Sequence, residues 1–264
     1  MINLGITDYF RKLEKYRFFI ETLVKTEFKR RYTQSLLGLM WLIFEPLILV
    51  LSLSFIFTMV DRQGPFGSPF PAFFYTGVFL WNIFGSSLSS GPGAFIKDKA
   101  ILSKVNYPRE ISAFRETCVY FFEFCFSLIP LLGILLFYRI TPNANWLFLP
   151  VLVVITLLLA YFVTIFLGSM NVYVRDVGIL SRSIKTVWFW FTPIIFEFPE
   201  GTAAEYLYYI NPMAGIIKNV RNIMLFDQPI VFEYLYCSLV WLVGLSFFGM
   251  RMFRRLERRF LDVL

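Results

Sequence analysis

The sequence predicts an all-α membrane protein with six transmembrane helices, and three observations carry that prediction. Of its 264 residues, 58% are hydrophobic, and the mean hydropathy is +0.65. This is too apolar for a domain that meets water on every side. The apolar residues gather into five clear stretches and a shorter sixth. Of 25 Lys and Arg residues, 21 fall in four segments, 1–35, 91–115, 171–185 and 251–264, that hydropathy places on one side. Lys and Arg are retained in cytoplasmic loops during insertion, so the segregation predicts both termini inside. The formal charge of +7 is mostly topology. Its carriers sit at membrane boundaries near anionic headgroups, not in the single stripe of a nucleic-acid-binding domain.

The first element is a basic amphipathic helix over 7–32. Apolar residues recur every three or four positions at Phe10, Leu13, Tyr16, Ile20, Leu23, Val24 and Phe28. Such a helix lies flat in the headgroup region or packs on a partner. Span one follows at 36–60, long enough for a hydrocarbon layer of about 30 Å, and carries Glu45 followed by Pro46. An outer Gly/Pro turn at 61–69 leads into span two at 70–87. The cytoplasmic insert 91–115 holds Lys97, Lys99, Lys104, Arg109 and Arg115. Its Phe95, Ile96, Ile101, Leu102 and Val105 predict one short amphipathic helix, ended by Asn106-Tyr107-Pro108.

Span three is expected at 118–138 and contains Glu123. Span four is expected at 146–170, and an inner loop at 171–185. Span five, 186–198, is short and interrupted by Thr192-Pro193. Without it, the C-terminal arginines Arg251, Arg254, Arg255, Arg258 and Arg259 would face outward, against the charge rule. The segment 197–228 is too polar to span. Two short helices broken at Asn211-Pro212 and dipping back from the outer face fit it, provided protein or a water-filled cavity covers their backbone. Span six is expected at 230–250. With no repeat or linker, residues 1–264 read as one domain: an interfacial helix at 1–35, a six-span core at 36–250 and a basic cytoplasmic tail at 251–264.

Several functions lack their residues. There is no His and no CxxC, and Cys118, Cys125 and Cys237 sit in or beside apolar stretches. Zinc, haem attachment and His-based catalysis are therefore not expected, and the cysteines read as small packing residues. No cleavable signal peptide is expected either, because the first 35 or so residues lack an apolar core with a small-residue cleavage site. No GxxxxGK[ST] loop occurs to cradle nucleotide phosphates. The chain thus reads as a transport subunit that is not an enzyme and holds no cofactor.

Ionisable groups inside spans are costly, so Glu45 and Glu123 are candidates for function. Each either pairs with a neighbouring helix or serves the substrate path; as proton-coupling groups they would instead indicate a secondary transporter. Aromatics form 20% of the chain. The run 187–191, with Trp188 and Trp190, and the cluster 206–209, with Tyr206 and Tyr209, exceed the needs of interfacial belts. These rings either pack in the core or stack on the apolar faces of sugars. Arg109 and Arg175 lie on the inner loops, where a guanidinium suits bidentate phosphate or carboxylate contacts; the alternative is plain retention of positive charge.

The local motifs, in order, carry a resemblance. Leu37-Gly38-Leu39-Met40-Trp41 with Pro46 opens span one, Leu80-Trp81-Asn82 lies in span two, and Lys104-Val105-Asn106-Tyr107-Pro108-Arg109-Glu110 precedes span three. Asn171-Val172-Tyr173-Val174-Arg175-Asp176-Val177, Trp190-Phe191-Thr192-Pro193, Asn211-Pro212 and Phe253-Arg254-Arg255-Leu256-Glu257 follow. Together they resemble the permease subunit of ABC-2-type polysaccharide exporters, which move O-antigen, capsule or lipid-linked teichoic acid. The resemblance implies a homodimer in the bacterial inner membrane with two copies of a separate ATPase, which would supply ATP and Mg. The cargo would be a polyprenyl-diphosphate-linked glycan. It also implies that the helix over 91–108 couples to the ATPase through the face of Phe95, Ile101, Leu102 and Val105. The 171–177 loop with Arg175 and Asp176 would contact the ATPase, and the broken segment after span five would gate the outer side. Glu45 departs from the amide or apolar residue expected there.

Overall fold

The computed structural model describes residues 14–32, 35–59, 65–102, 104–105, 107–199 and 201–263. The 7–13 part of the expected N-terminal helix, the last residue of expected span one and the 61–64 part of the expected outer turn lie outside the described residues. Every regular element described is helical. In chain order these are α1 (Arg17–Tyr32), α2 (Trp41–Met59), α3 (Phe70–Ser89), α4 (Ala94–Lys97), α5 (Lys99–Leu102), α6 (Glu110–Phe137) and α7 (Leu149–Tyr173). They continue as α8 (Asp176–Trp190), α9 (Leu207–Ile210), α10 (Pro212–Met224), α11 (Leu235–Leu256) and α12 (Phe260–Val263).

Helix α3 is the axis of the fold. It packs against α2, α6, α7, α8 and α10, and its Phe73, Phe74, Tyr75, Phe79 and Leu80 are fully buried. Among the described residues, four helical segments are long and apolar enough to cross a membrane: Gly38–Phe57, Glu110–Phe137, Ala144–Tyr173 and Phe232–Arg259. With 20 residues, α3 rises about 30 Å, but its serines, Thr76 and Asn82 dilute its hydropathy. Its neighbours surround it, so its surface need not be lipid-like. Helix α8 has 15 residues and stops before the break at Thr192-Pro193.

The sequence boundaries need three corrections. The third span is a helix that begins at Glu110, not at 118, so Arg115 and Glu116 stand on it. Helix α8 absorbs most of the expected inner loop, whereas the chain from Phe191 to Phe198 is irregular. The insert forms not one amphipathic helix but two single turns, α4 and α5, broken at Asp98. The break after α9 falls where Asn211-Pro212 predicts it. The Asn211 side chain caps α10 by accepting from the Met213 N–H at 2.9 Å, and Pro212 occupies the first turn, where its missing N–H costs nothing.

The apolar faces of α1 and of the insert are covered by the chain itself. Ile20, Leu23 and Val24 of α1 pack with Leu102, Tyr107, Ile111 and Val119. Phe95 is buried between the rings of Phe253 and Phe260, at 5.5 and 5.2 Å. Ile101 is half-buried, and Val105 is exposed. The insert face expected to need an outside cover is therefore largely occupied from within.

Helix α10 approaches the chain entering α11 so closely that a Cβ on Gly215 would lie 1.9 Å from the carbonyl oxygen of Tyr234. Backbone cannot yield by an ångström without disturbing both helices. Gly215→Ala is therefore expected to lower the yield of monodisperse protein and its melting temperature in detergent. Gly133→Ala, whose Cβ would meet nothing within 4 Å, is expected to leave both unchanged.

Candidate functional site

The region where α1, the insert and α6 meet is organised by charge. Glu27 of α1 is buried, and its carboxylate accepts from Arg30 at 2.7 Å and Arg31 at 2.9 Å, with Lys97 at 3.4 Å. Arg31 reaches on to α6, donating to Glu116 at 2.7 Å and Glu123 at 2.8 Å. Glu116 is fully buried and also accepts from Lys97 and Arg115, each at 2.8 Å. Arg115 in turn pairs with Asp98 at the break between α4 and α5. Burial acts to raise the Glu27 carboxyl, but Arg30, Lys97 and Arg31 outweigh it and hold the group well below the usual carboxylate range. At Asp98 burial wins over Arg115, and the carboxyl is raised. One network thus joins α1, the insert and α6, in an interior where unpaired charges would be costly.

The network ends at a polar cavity of about 420 Å³. Its walls come from α2 (Glu45, Pro46), α3 (Val78, Phe79, Asn82, Ser86), α6 (Tyr120, Glu123, Phe124) and α8 (Lys185), with Arg31 and Tyr32 at one end. The Tyr32 hydroxyl donates to Glu123 at 3.0 Å. Pro46 has no N–H to offer the Leu42 carbonyl one turn back, and Leu42 also lines the space. Lys185 reaches the cavity across Gly85, where a Cβ would come within 3.1 Å of its stem.

The structure brings Glu45 and Glu123, both singled out from sequence, to this one cavity. The aromatic candidates lie elsewhere. Trp188 is wedged between Phe84 at 5.3 Å and Trp241 at 5.8 Å, and Trp190 is exposed. Tyr206 and Tyr209 are exposed beside a separate depression of about 410 Å³ formed with Gly201, Thr202 and Glu205. Arg109 is half-buried with its guanidinium 5.6 Å from the centre of the Phe260 ring. Arg175 and Asp176 are exposed at the start of α8. The loop before them is held by Asn171, which accepts from the Gly178 N–H and donates to the Pro92 carbonyl, both at 2.8 Å. Among the described residues, no group of three or more His, Cys, Asp or Glu residues is arranged to hold a metal ion.

Sequence reasoning missed Glu27, Arg31, Lys97, Asp98, Arg115, Glu116, Asn82, Ser86 and Lys185. One signal was present: Glu116, Tyr120, Glu123 and Ser127 recur at four, three and four residues, a polar stripe along one helix face.

Outside this region, Arg221 of α10 is fully buried. It donates to the carbonyls of Pro193 and Ile194, both at 2.6 Å, and lies 3.5 Å from the centre of the Phe73 ring. It thereby caps carbonyls left without helical partners where α8 ends.

Glu116→Gln would leave three cations facing a neutral amide. It is expected to destabilise the protein by about 3–5 kcal/mol, the usual cost of breaking a buried pair. Adding Lys97→Met should recover part of the loss, because it removes one of the unmatched cations. Melting curves of the single and double variants check both expectations.

Residues 19–225 match the ABC-2 type transporter family. The O-antigen export system permease protein RfbA of Myxococcus xanthus is 28% identical over 216 residues, covering 81% of this chain and 82% of that one. Two proteins of the same name from Klebsiella pneumoniae are 26% identical over 249 residues and 27% identical over 250 residues. Each match covers 92% of this chain and 93% of theirs.

Proposed function

The chain belongs to the ABC-2 type transporter family, and from that premise we propose that it is the membrane permease of an ATP-driven exporter. Its cargo in this reading is a polyprenyl-diphosphate-linked polysaccharide of the O-antigen kind, moved from the cytoplasmic to the outer face. The observation that carries the reading is the likeness, along nearly the whole chain, to permeases named for O-antigen export. The lack of a phosphate-binding loop supports a separate ATPase as motor.

In this reading residues 1–264 form one transmembrane domain with six crossings, both termini inside and the bacterial inner membrane as its site. Helices α3 and α8 supply the two crossings beyond the four segments of sufficient length and apolarity. Two copies of the chain meet two copies of the ATPase. The insert is the coupling element: Phe95 and Leu102 root it in the fold, while exposed Val105 and the basic residues beside it face the motor. Arg109, Arg175 and Asp176 serve contact with the ATPase or with the substrate headgroup. Trp190, Tyr206 and Tyr209 lie on open surface where a passing glycan can meet them, while Trp188, half-buried against Phe84 and Trp241, borders the path. The N-terminal helix lies at the membrane surface with its apolar face held by α6.

Deleting the gene is expected to leave completed lipid-linked glycan on the inner leaflet. Restoration should require both this chain and its ATPase, and the chain alone should hydrolyse no ATP. Transport by the purified chain down a proton gradient, with no partner, would sink the assignment in favour of a secondary transporter. For topology, impermeant thiol reagents added outside should modify Gly201→Cys and spare Lys99→Cys and Arg255→Cys. Labelling of Arg255→Cys from outside would remove the sixth crossing.

A further inference from the structure

The cavity between α2, α3, α6 and α8 holds polar groups that the fold does not use. Glu45 on α2, Asn82 and Ser86 one turn apart on α3, and Lys185 on α8 all line it. Among the described residues, none of these four side chains makes a hydrogen bond or ion pair. This contrasts with Glu123 and Arg31 at the same cavity, which are fully engaged with each other. Glu45 and Asn82 are exposed and Ser86 and Lys185 half-buried, so hydrogen-bonding groups from three helices stand open to a polar occupant of the cavity.

The composition of the walls narrows the occupant. A bare ion or a phosphate would be met by one sign of charge, but here Lys185 donates, Glu45 accepts, and Asn82 and Ser86 do both. The rest of the wall mixes Arg31, Glu123 and Tyr120, whose polar groups are engaged within the fold, with apolar side chains that include Leu42 and Leu49. A volume of about 420 Å³ falls within the roughly 300–1,000 Å³ range of small-molecule sites. A neutral pyranose has this pairing of surfaces. Its rim of hydroxyls both donates and accepts, and its C–H faces are apolar.

We propose that this cavity is a sugar-binding subsite within each protomer. Glu45, Asn82, Ser86 and Lys185 bind the hydroxyls of one pyranose of the glycan, and Leu42 and Leu49 supply apolar wall. The inference rests on the export reading and names the part of the glycan path that touches sugar. Glu45 is a binding residue in this arrangement. Its neighbour Glu123 is a positioning residue, held by Arg31 and Tyr32.

The test uses the chain together with its ATPase in native membranes. Cys118, Cys125 and Cys237 are first replaced by Ser, and Asn82→Cys is introduced; Ser86→Cys replaces it should the first variant fail to insert. The rate of N-ethylmaleimide labelling is compared in three preparations. One comes from a strain making the complete lipid-linked glycan, and one from a strain blocked before the first sugar. The third is the blocked-strain membrane supplemented with farnesyl diphosphate. Labelling slowed several-fold in the first preparation alone is the expected result. Equal rates in all three would overturn the proposal. Slowing by farnesyl diphosphate would also overturn it, assigning the cavity to a phosphate headgroup instead.

In parallel, Glu45→Ala and Lys185→Ala are each expected to lower export by roughly tenfold at unchanged amounts of inserted permease, as for loss of one charge-assisted hydrogen bond. The exchange Glu45→Lys with Lys185→Glu should not restore export. Full restoration would mean that the two residues serve only as an ion pair with each other, and would overturn the proposal. The export reading is judged separately, by whether deleting the gene strands glycan inside. Glycan that still reaches the surface would refute that reading whatever the labelling shows.

Discussion

The requirement that buried charge be neutralised on the spot governs the part of this molecule where α1, the insert and α6 meet. Glu116 has no exposed surface, and Arg31, Lys97 and Arg115 converge on its carboxyl group. Those three cations come from α1, the insert and α6 itself, and each element is thereby fixed relative to the others. Arg31 does the most, since its two terminal nitrogens serve different carboxylates on α6. Apolar packing alone would let α1 slide along α6, because hydrophobic contact is not directional. Guanidinium–carboxylate geometry is directional, so the ion pairs set the register of surfaces already brought together by Ile20, Leu23 and Val24.

The same network explains why insert and cavity belong to one mechanical unit. Lys97 and Asp98 sit in the insert, Glu116 and Glu123 on α6, and Glu123 faces the cavity. A displacement of the insert must either carry α6 with it or separate buried ions, and the second course is expensive. Phe95 adds a second attachment, because its burial against Phe253 and Phe260 ties the insert to the C-terminal helices. Gly168 leaves room for that ring, since a Cβ there would come within 2.9 Å of it.

Much of this was legible in the sequence where a single residue type settles the matter. Proline marked the breaks at Thr192-Pro193 and Asn211-Pro212, and apolar length marked α2, α6, α7 and α11. The start of α6 was not legible, because hydropathy treats Arg115 and Glu116 as loop charges without asking what neutralises them. The insert misled for a related reason. Phe95 through Val105 has helical spacing, but Asp98 interrupts the helix: its carbonyl accepts from the Ile101 and Leu102 N–H groups, and its carboxylate is taken by Arg115. Glu45 and Glu123 stood out as carboxylates in apolar stretches. Their convergence on one cavity did not, because it depends on α2, α3, α6 and α8 meeting across more than a hundred residues of chain. Ring density alone does not separate Trp188, half-buried against Phe84 and Trp241, from exposed Trp190.

Arg221 bears on how a charge rule should be applied to such proteins. Four basic residues, Arg62, Arg139, Lys218 and Arg221, fall in the segments assigned to the outer side, against the general bias. Two of them are already committed. Arg221 is enclosed by backbone carbonyls and the Phe73 ring, and Lys218 lies between the Tyr208 and Tyr234 rings at 4.6 and 4.4 Å. Such cations do not act as free charges at a boundary; they are ligands of their own fold. A topology estimate that counts only basic residues left unclaimed by the folded structure would find the inside–outside contrast of this chain sharper than its raw sequence suggests.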